Sequence, residues 1–475
     1  MNILLIEDHD GYAADLLGCL RMIEHVAEPT RVADKESAVR LLQSELIDLV
    51  ILDLSIPPNP HELAPTPEHG EALFHEAREL QPGTPIYILT GSEVSKFCLS
   101  LAKFGNQIRP WGGSTEIETV SFFLKEDVED LLTRVRELSA IFSNLSEIVI
   151  NTRGKDVGLT PAHQRMIKMF TRRAGAEACD VSVLSGGLSD AKVIKAAALD
   201  KSGRPQALCA GKLGSRALIA QEAAAYEEHV LKLGIGAYPS AQVTIQDGVG
   251  LNGAIFYTLT DADTLSLFDR LAADPNIGVR AIVNTRHKLA RWTEAATVER
   301  VSIGEIRARL LNQEDTDQIF ERFELQELRE LEERLVFSAR SCVHGDLHCG
   351  NILVNREAGA VLIDFADAGP GFTCLDPIAL ELSLLFHPEA KTLNSGQKLL
   401  ENVEVWPDVD NFTRGSDLAG TIMSCREWAH DVGGSDHSVL AAAYAYALRQ
   451  LKYDTVDPCI TIKLLKSINR CVANT

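Results

Sequence analysis

A chain of 475 residues is too long for one hydrophobic core, so two or three domains are expected. Hydrophobic residues make up 45% and charged residues 24%, the balance of an ordinary globular protein, and no apolar run is long enough to span a membrane. A net charge of −21 with no basic stripe argues against a nucleic-acid partner, because neutralising phosphates takes clustered Lys and Arg.

The N-terminus, Met1 to Asp8, lacks the basic flank and cleavage site of a signal peptide and reads as an opening β-strand. The 10 cysteines lie scattered in apolar contexts with no Cys-x-x-Cys pair. Reduced, mostly buried thiols in a cytoplasmic protein are expected, rather than a zinc site or a disulfide framework.

Residues 1 to about 140 alternate short apolar runs with helical patterns. The runs are Ile3–Ile6, Leu49–Leu52, Ile86–Leu89 and Phe122–Leu124, and helical periodicity fills the gaps, as from Val128 to Leu138. Strands alternating with helices predict a doubly wound parallel sheet. Pro57 to His69 and Phe104 to Thr119 read as surface loops, longer than such connections usually are. Carboxylates sit at the strand ends: Glu7 and Asp8 after the first, Asp53 after the third. In a doubly wound sheet those ends converge on one crevice. Acids held that close repel, and a bound Mg²⁺ resolves the conflict while supporting phosphoryl transfer to a carboxylate. Thr90 ends the fourth strand and Lys125 the fifth, offering a hydroxyl and a cation to a phosphoryl group on Asp53.

Acid pair, Asp, Thr and Lys in this order resemble the receiver domain of two-component response regulators. The resemblance implies Asp53 as phospho-acceptor and Asp8 as a direct metal ligand, with Glu7 alongside and the Ser55 carbonyl completing the site. Phe122 falls where that family has its switch aromatic, and Pro57 matches its proline four after the acceptor. A sensor histidine kinase or a small phosphodonor would supply the phosphoryl group. Two departures stand out: Glu126 follows Lys125 where the family usually has proline, and the long loops alter the face that usually signals.

Residues 141–160 read as a linker, 161–265 as a β-rich lobe and 266–475 as an α-rich lobe. Thr160 and Pro161 open a helix to Arg173, a second helix runs from Ile219 to Leu233, and from about Leu310 the pattern is mainly helical around a motif region, 342–377. Phosphoryl transfer from a nucleotide needs an acceptor hydroxyl held in line, metal ions on the phosphates and a cation beside them. In His344-Gly345-Asp346-Leu347-His348-Cys349-Gly350-Asn351, Asp346 can accept the acceptor's proton and Asn351 offers a neutral oxygen to Mg²⁺. Ile352–Val354 and Ala360–Ile363 read as paired strands, the second delivering Asp364 as a further carboxylate for Mg²⁺.

This arrangement resembles the aminoglycoside phosphotransferase and choline kinase group of kinase-like enzymes. The resemblance implies Asp346 as catalytic base, Asn351 and Asp364 as metal ligands, and ATP or GTP as donor. His344 and His348 would be structural, and Asp376, at a helix start, architectural. Lys212, ending an apolar run, would contact the α- and β-phosphates. Glu222 on the next helix would orient it, with Glu227 and Glu228 as competitors. Gly186, Gly187 and Ser189 resemble the group's phosphate-covering turn, and Ala254 to Leu259 the strand feeding a hinge where a purine stacks. Trp406 and Trp428 are candidate pocket walls, although core packing is the commoner job.

The expectation is therefore an α/β protein: a flavodoxin-like doubly wound (βα)5 receiver domain followed by a two-lobed kinase-like α+β domain. Phosphorylation of Asp53 would regulate transfer of a γ-phosphoryl group to an unknown hydroxyl substrate. The alternative is a nucleotide-binding, pseudokinase-like signalling scaffold with little turnover.

Overall fold

The computed structural model describes residues 1–62, 64–91, 107–185, 191–234, 236–259, 261, 263–393 and 396–473. The chain forms two compact units, Met1–Ala220 with Ala241–Thr258, and Gln221–Ser240 with Leu259–Thr475. Among the described residues, no helix is long and apolar enough to cross a membrane.

The N-terminal unit begins with five parallel strands, β1 (Ile3–Ile6), β2 (Thr30–Val32), β3 (Leu49–Asp53), β4 (Ile86–Thr90) and β5 (Val120–Leu124), in the order β2-β1-β3-β4-β5. That order is the flavodoxin-like one, with its crevice at the carboxyl ends of β1 and β3. Helices α1 (Asp10–Arg21), α2 (Lys35–Ser44), α3 (Pro67–Leu80) and α4 (Val128–Ser146) cover the two faces. Because side chains alternate along a strand, Ile3, Leu5, Ile51 and Tyr87 enter one core with α1 and α4, while Leu4, Ile6, Val50 and Ile88 enter another with α2 and α3. β2 carries no such apolar run and is partly exposed, which is why periodicity does not reveal it.

The first of those cores does not stop at the parallel sheet. It continues through α5 (Pro161–Arg173) into a six-stranded sheet, taking in Met166, Met169, Phe170, Ile194, Cys209 and Phe256. That sheet comprises β6 (Val149–Asn151), β7 (Ala178–Ser185), β8 (Lys192–Leu199), β9 (Pro205–Ser215), β10 (Ala241–Ile245) and β11 (Asn252–Thr258) in the order β10-β11-β9-β8-β7-β6. It is antiparallel apart from the parallel β6–β7 edge. Residues 141–160, read as a linker, carry the last turns of α4 and then β6.

Residues 107–119 depart from the surface-loop expectation. A short hairpin of Gln107–Ile108 with Ile117–Glu118 brackets a turn that buries Trp111, its ring 5.0 Å edge-on from Phe142. The turn is tight: Trp111 has φ 48° and Gly112 φ 73°, and a Cβ on Gly112 would lie 2.5 Å from the Met169 carbonyl oxygen in α5. A buried ion pair adds a polar tie, with Arg165 Nη1 of α5 2.7 Å from Asp48 Oδ1 just before β3. Asp48 also accepts the Asn2 amide at 2.6 Å. Burial pushes the Asp48 carboxyl up, and Arg165 opposes it.

In the C-terminal unit, Leu335–Val343 is the central strand between Thr297–Ser302 and Gly369–Phe372, and Ile352–Val354 lies between Leu265–Ser266 and Ala360–Leu362. Helical structure starts well before residue 310, at Leu267–Ala273 and Ile277–Thr293. Helix Leu375–Phe386 is buried along its whole length, its mostly apolar surface broken by the buried polar residues Asp376, Glu381 and Ser383. Asp436–Gln450 packs beside it through a run of small and aromatic residues. Trp406 and Trp428 are both buried. Trp406 Nε1 donates to Glu381 Oε1 at 2.7 Å, and the Arg426 guanidinium closes the same network from 2.6 Å while stacking on the Trp406 ring. Trp406 therefore serves a satisfied buried ion pair.

Candidate functional site

The carboxyl ends of β1 and β3 bring Glu7, Asp8 and Asp53 together, each with a ligand oxygen within 4.8 Å of the others. Glu7 and Asp53 are buried and Asp8 is half-buried. Lys125, one residue past β5, reaches in with Nζ 2.7 Å from Glu7 Oε2 and 2.8 Å from Asp53 Oδ2. The Ser55 amide donates to Asp53 Oδ1 at 3.2 Å. Burial drives the Glu7 carboxyl up, and its bond to Lys125 only partly offsets this. For Lys125 the balance reverses: burial lowers its pKa, but the bonds to Asp53 and Glu7 raise it on balance. Three clustered carboxylates, two of them paired with one ammonium, suit a hard divalent cation, which when bound would neutralise their repulsion. Thr90 lies half-buried at the end of β4, its carbonyl accepting from the Lys125 amide at 2.9 Å. Phe122 is half-buried in β5, and all described peptide bonds are trans, Lys125–Glu126 included.

Two more residues complete this site. Tyr12 lies with its ring 5.1 Å from Lys125 Nζ, and Arg31 donates to the backbone oxygens of Glu7 (2.9 Å) and Asp8 (3.0 Å). Sequence reasoning missed both, since neither falls at a strand end.

In the C-terminal unit, Leu335–Val343 leads directly into the loop bearing Asp346. The buried Asp376 carboxylate clamps that loop, accepting the His344 amide at 2.7 Å and the Gly345 amide at 3.0 Å. Burial pushes the Asp376 carboxyl up, and His344 and the two amides pull against it. Gly345 sits at φ 85°, where a Cβ would meet the Asp367 carbonyl oxygen at 2.4 Å, so only glycine fits. The His344 ring bonds the Ile363 carbonyl at 3.1 Å, and the Ile363 amide bonds the Asn351 carbonyl at 3.1 Å. These contacts set Asp364 beside Asn351 at a strand end, with Asp364 in the left-handed region at φ 67°. An aspartate tolerates that conformation better than most residues, and such strain gathers at functional sites.

Asn351 Nδ2 donates to the Asp346 carbonyl at 2.8 Å, which leaves its Oδ1 as the donor to a hard cation. The Asp346 carboxylate has His348 at 3.8 Å and Arg449 at 3.1 Å. Burial alone would raise the Asp346 carboxyl, but His348, Arg449 and His344 together hold it below the usual carboxylate range. His348 accepts the Gly350 amide at 3.1 Å and stacks 4.6 Å from His387. Burial lowers the pKa of both rings, that of His387 to about 3. Arg449 escaped the sequence reading; an arginine closing an alanine-rich apolar helix is the signal that could have found it.

Glu222 is buried and accepts the Phe365 amide at 3.4 Å, one residue past Asp364, while Glu227 and Glu228 are exposed. Lys212 is buried in β9 of the N-terminal unit, facing Ile255 of β11 across the sheet. Gly186, Gly187 and Ser189 lie outside the described residues.

Comparison with known proteins adds one sequence family. Residues 264–415 match the family model "Ternary complex associated domain 9". No curated protein sequence matches the chain. Among solved structures, a CheY-like response regulator receiver domain protein from Methanospirillum hungatei JF-1 is 18% identical, covering 30% of this chain and 96% of its own, with a TM-score of 0.23. A thermostable mutant of aminoglycoside phosphotransferase APH(4)-Ia, in ternary complex with ADP and hygromycin B, is 14% identical over 64% of this chain and 96% of its own (TM-score 0.36). A Plasmodium vivax ethanolamine kinase is 12% identical over 67% of this chain and 91% of its own (TM-score 0.32). A receiver fold at the N-terminus and a kinase-like fold over the rest are what this chain's own strand order and loop geometry carry.

Proposed function

We propose that the chain is a two-component-type signalling protein in which phosphorylation of Asp53 regulates a phosphotransferase acting on a hydroxyl-bearing substrate with ATP or GTP as donor. The observation that carries this reading is the C-terminal loop. Asp346, Asn351 and Asp364 are held on one hairpin, Asp346 ionised and both oxygen donors beside it. In the reaction Asp346 accepts the proton of the attacking hydroxyl. Mg²⁺ held by Asn351 and Asp364 would supply charge neutralisation on the phosphates.

Regulation is supported by the continuous core that joins the receiver sheet to the sheet bearing Lys212. Added charge at Asp53 would bias packing around Thr90 and Phe122, and a rigid core passes on small shifts that a flexible linker would absorb. The test measures ATP and GTP consumption by the full chain against a metabolite library, with and without beryllofluoride on the receiver. Asp364→Ala should abolish consumption, and beryllofluoride should change its rate in wild type but not in Asp53→Ala. Equal rates in all four samples would leave the scaffold as the better account.

A further inference from the structure

A cavity of about 250 Å³ opens beside Gly345 in the C-terminal unit, among Arg309, Asp315, Asp367, Arg449 and Lys452. Its three cations are held in different ways. Lys452 Nζ pairs with Asp315 Oδ2 at 2.7 Å, and Arg449 Nη1 pairs with Asp346 Oδ1 at 3.1 Å. Arg309 instead donates to two backbone oxygens, those of Pro370 at 3.1 Å and Asp367 at 2.7 Å. Among the described residues, no carboxylate forms an ion pair with it. A guanidinium oriented by neutral carbonyls directs its remaining N–H donors in a fixed fork, the geometry that recognises carboxylate or phosphate.

We infer that this cavity binds the phosphoryl acceptor and that the acceptor is a small anion with a hydroxyl group, its phosphate or carboxylate on Arg309 and its hydroxyl turned toward Asp346. The inference rests on the phosphotransfer reading above. Arg449 supplies the connection: it lines the cavity and touches the base. A polycationic acceptor would meet Arg309 and Arg449 with few carboxylates to spare, because Asp315 is already taken by Lys452. The volume lies below the ~300–1,000 Å³ typical of drug-sized sites, so the acceptor is a small metabolite. In the transfer, the acceptor oxygen bonds to the γ-phosphorus of ATP and the bond to the β,γ-bridging oxygen breaks. ADP leaves with that electron pair, and the hydroxyl proton passes to the Asp346 carboxylate.

Calorimetry on the full chain without nucleotide tests the site independently of catalysis. The probes are sn-glycerol 3-phosphate, glucose 6-phosphate, D-glycerate and choline. At least one anion should bind, more weakly at high salt, and Arg309→Gln should weaken it about ten-fold or more, with Arg309→Lys recovering part. Choline should give no heat. Binding of choline alone, of no anion, or of an anion indifferent to Arg309→Gln overturns the inference. Should Arg309→Gln fail to fold, phenylglyoxal labelling of wild type read by peptide mass decides: a bound anion must protect Arg309, and an unprotected Arg309 overturns the site. An anion bound at Arg309 that draws no phosphoryl group from Mg·ATP supports the anion site and counts against the phosphotransfer reading. ATP consumption with a neutral or cationic acceptor upholds phosphotransfer and overturns the acceptor class.

Discussion

The acid cluster at Asp53 and the loop at Asp346 both set carboxylates beside long cations, yet their charge balances run in opposite senses. At the strand-end cluster Glu7, Asp8 and Asp53 lie together, Lys125 pairs with Glu7 and Asp53, and burial raises Glu7 against the pull of that lysine. At the loop one carboxylate faces His348 and Arg449, and these hold Asp346 down against its burial. A site where acids outnumber cations favours a divalent metal, as the proposed receipt of a phosphoryl group requires. A site where cations surround one acid keeps that acid ionised, as the proposed general base requires. The two centres thus suit complementary halves of phosphoryl chemistry, receipt at one and transfer at the other.

The sharpest way to break this contrast is at Asp53. If it is the acceptor, Asp53→Ala should abolish uptake of label from acetyl phosphate, and removing Mg²⁺ with EDTA should do the same to wild type. Label persisting in either case would move the acceptor elsewhere. The next largest effect belongs to the loop: Asp346→Asn should lower substrate-stimulated ATP turnover by ~10²–10⁴-fold, the usual share of a general base. Arg449→Gln should instead shift the acid limb of the pH–rate profile upward, since it removes a cation that lowers the Asp346 pKa. An unshifted limb would show that Arg449 does not tune the base.

A third test concerns the tie between receiver and sheet in the N-terminal unit. Removing Arg165 takes the ion-pair partner from the buried Asp48 carboxylate, so Arg165→Leu should cost ~3–5 kcal/mol in denaturant unfolding. Asp48→Leu with Arg165→Leu should recover much of that loss. If neither single nor double change alters the midpoint, the pair contributes nothing to the joint core.

What the sequence made legible follows from where each signal lives. Strand-end acids and the eight-residue loop are local patterns, so Glu7, Asp53, Lys125, Asp346 and Asp364 could be placed on their elements from the letters alone. The burial of Trp111 was not legible, because a Gly- and Pro-rich stretch without period looks the same whether it floats or packs on a neighbour. Nor was Arg449, which meets Asp346 across 103 positions of chain. Arg309 was hidden for a further reason: its partners are backbone oxygens, which leave no mark on residue type.

The smallest expected effect separates the two units by pH. His387 is buried and held down to about 3, first by its burial and then by the neighbouring His348. Unfolded, it would titrate near ~6.5. The unfolded chain therefore binds the extra proton as pH falls, so the stability His387 contributes is whole above pH ~6.5 and is lost progressively toward its folded value, about 1.4 kcal/mol by pH ~5.5. Glu7 has the opposite sign. Its folded pKa is raised, the native state binds the proton more tightly, and its penalty is relieved as pH falls through that raised folded value. Acidification should loosen the C-terminal unit before the receiver sheet. Hydrogen exchange at pH 7.5 and 5.0 checks this: amides of Leu375–Phe386 should gain exchange relative to those of β1 and β3, and His387→Phe should shrink the difference. Equal acceleration in both units would mean that the histidine pair does not set the acid response.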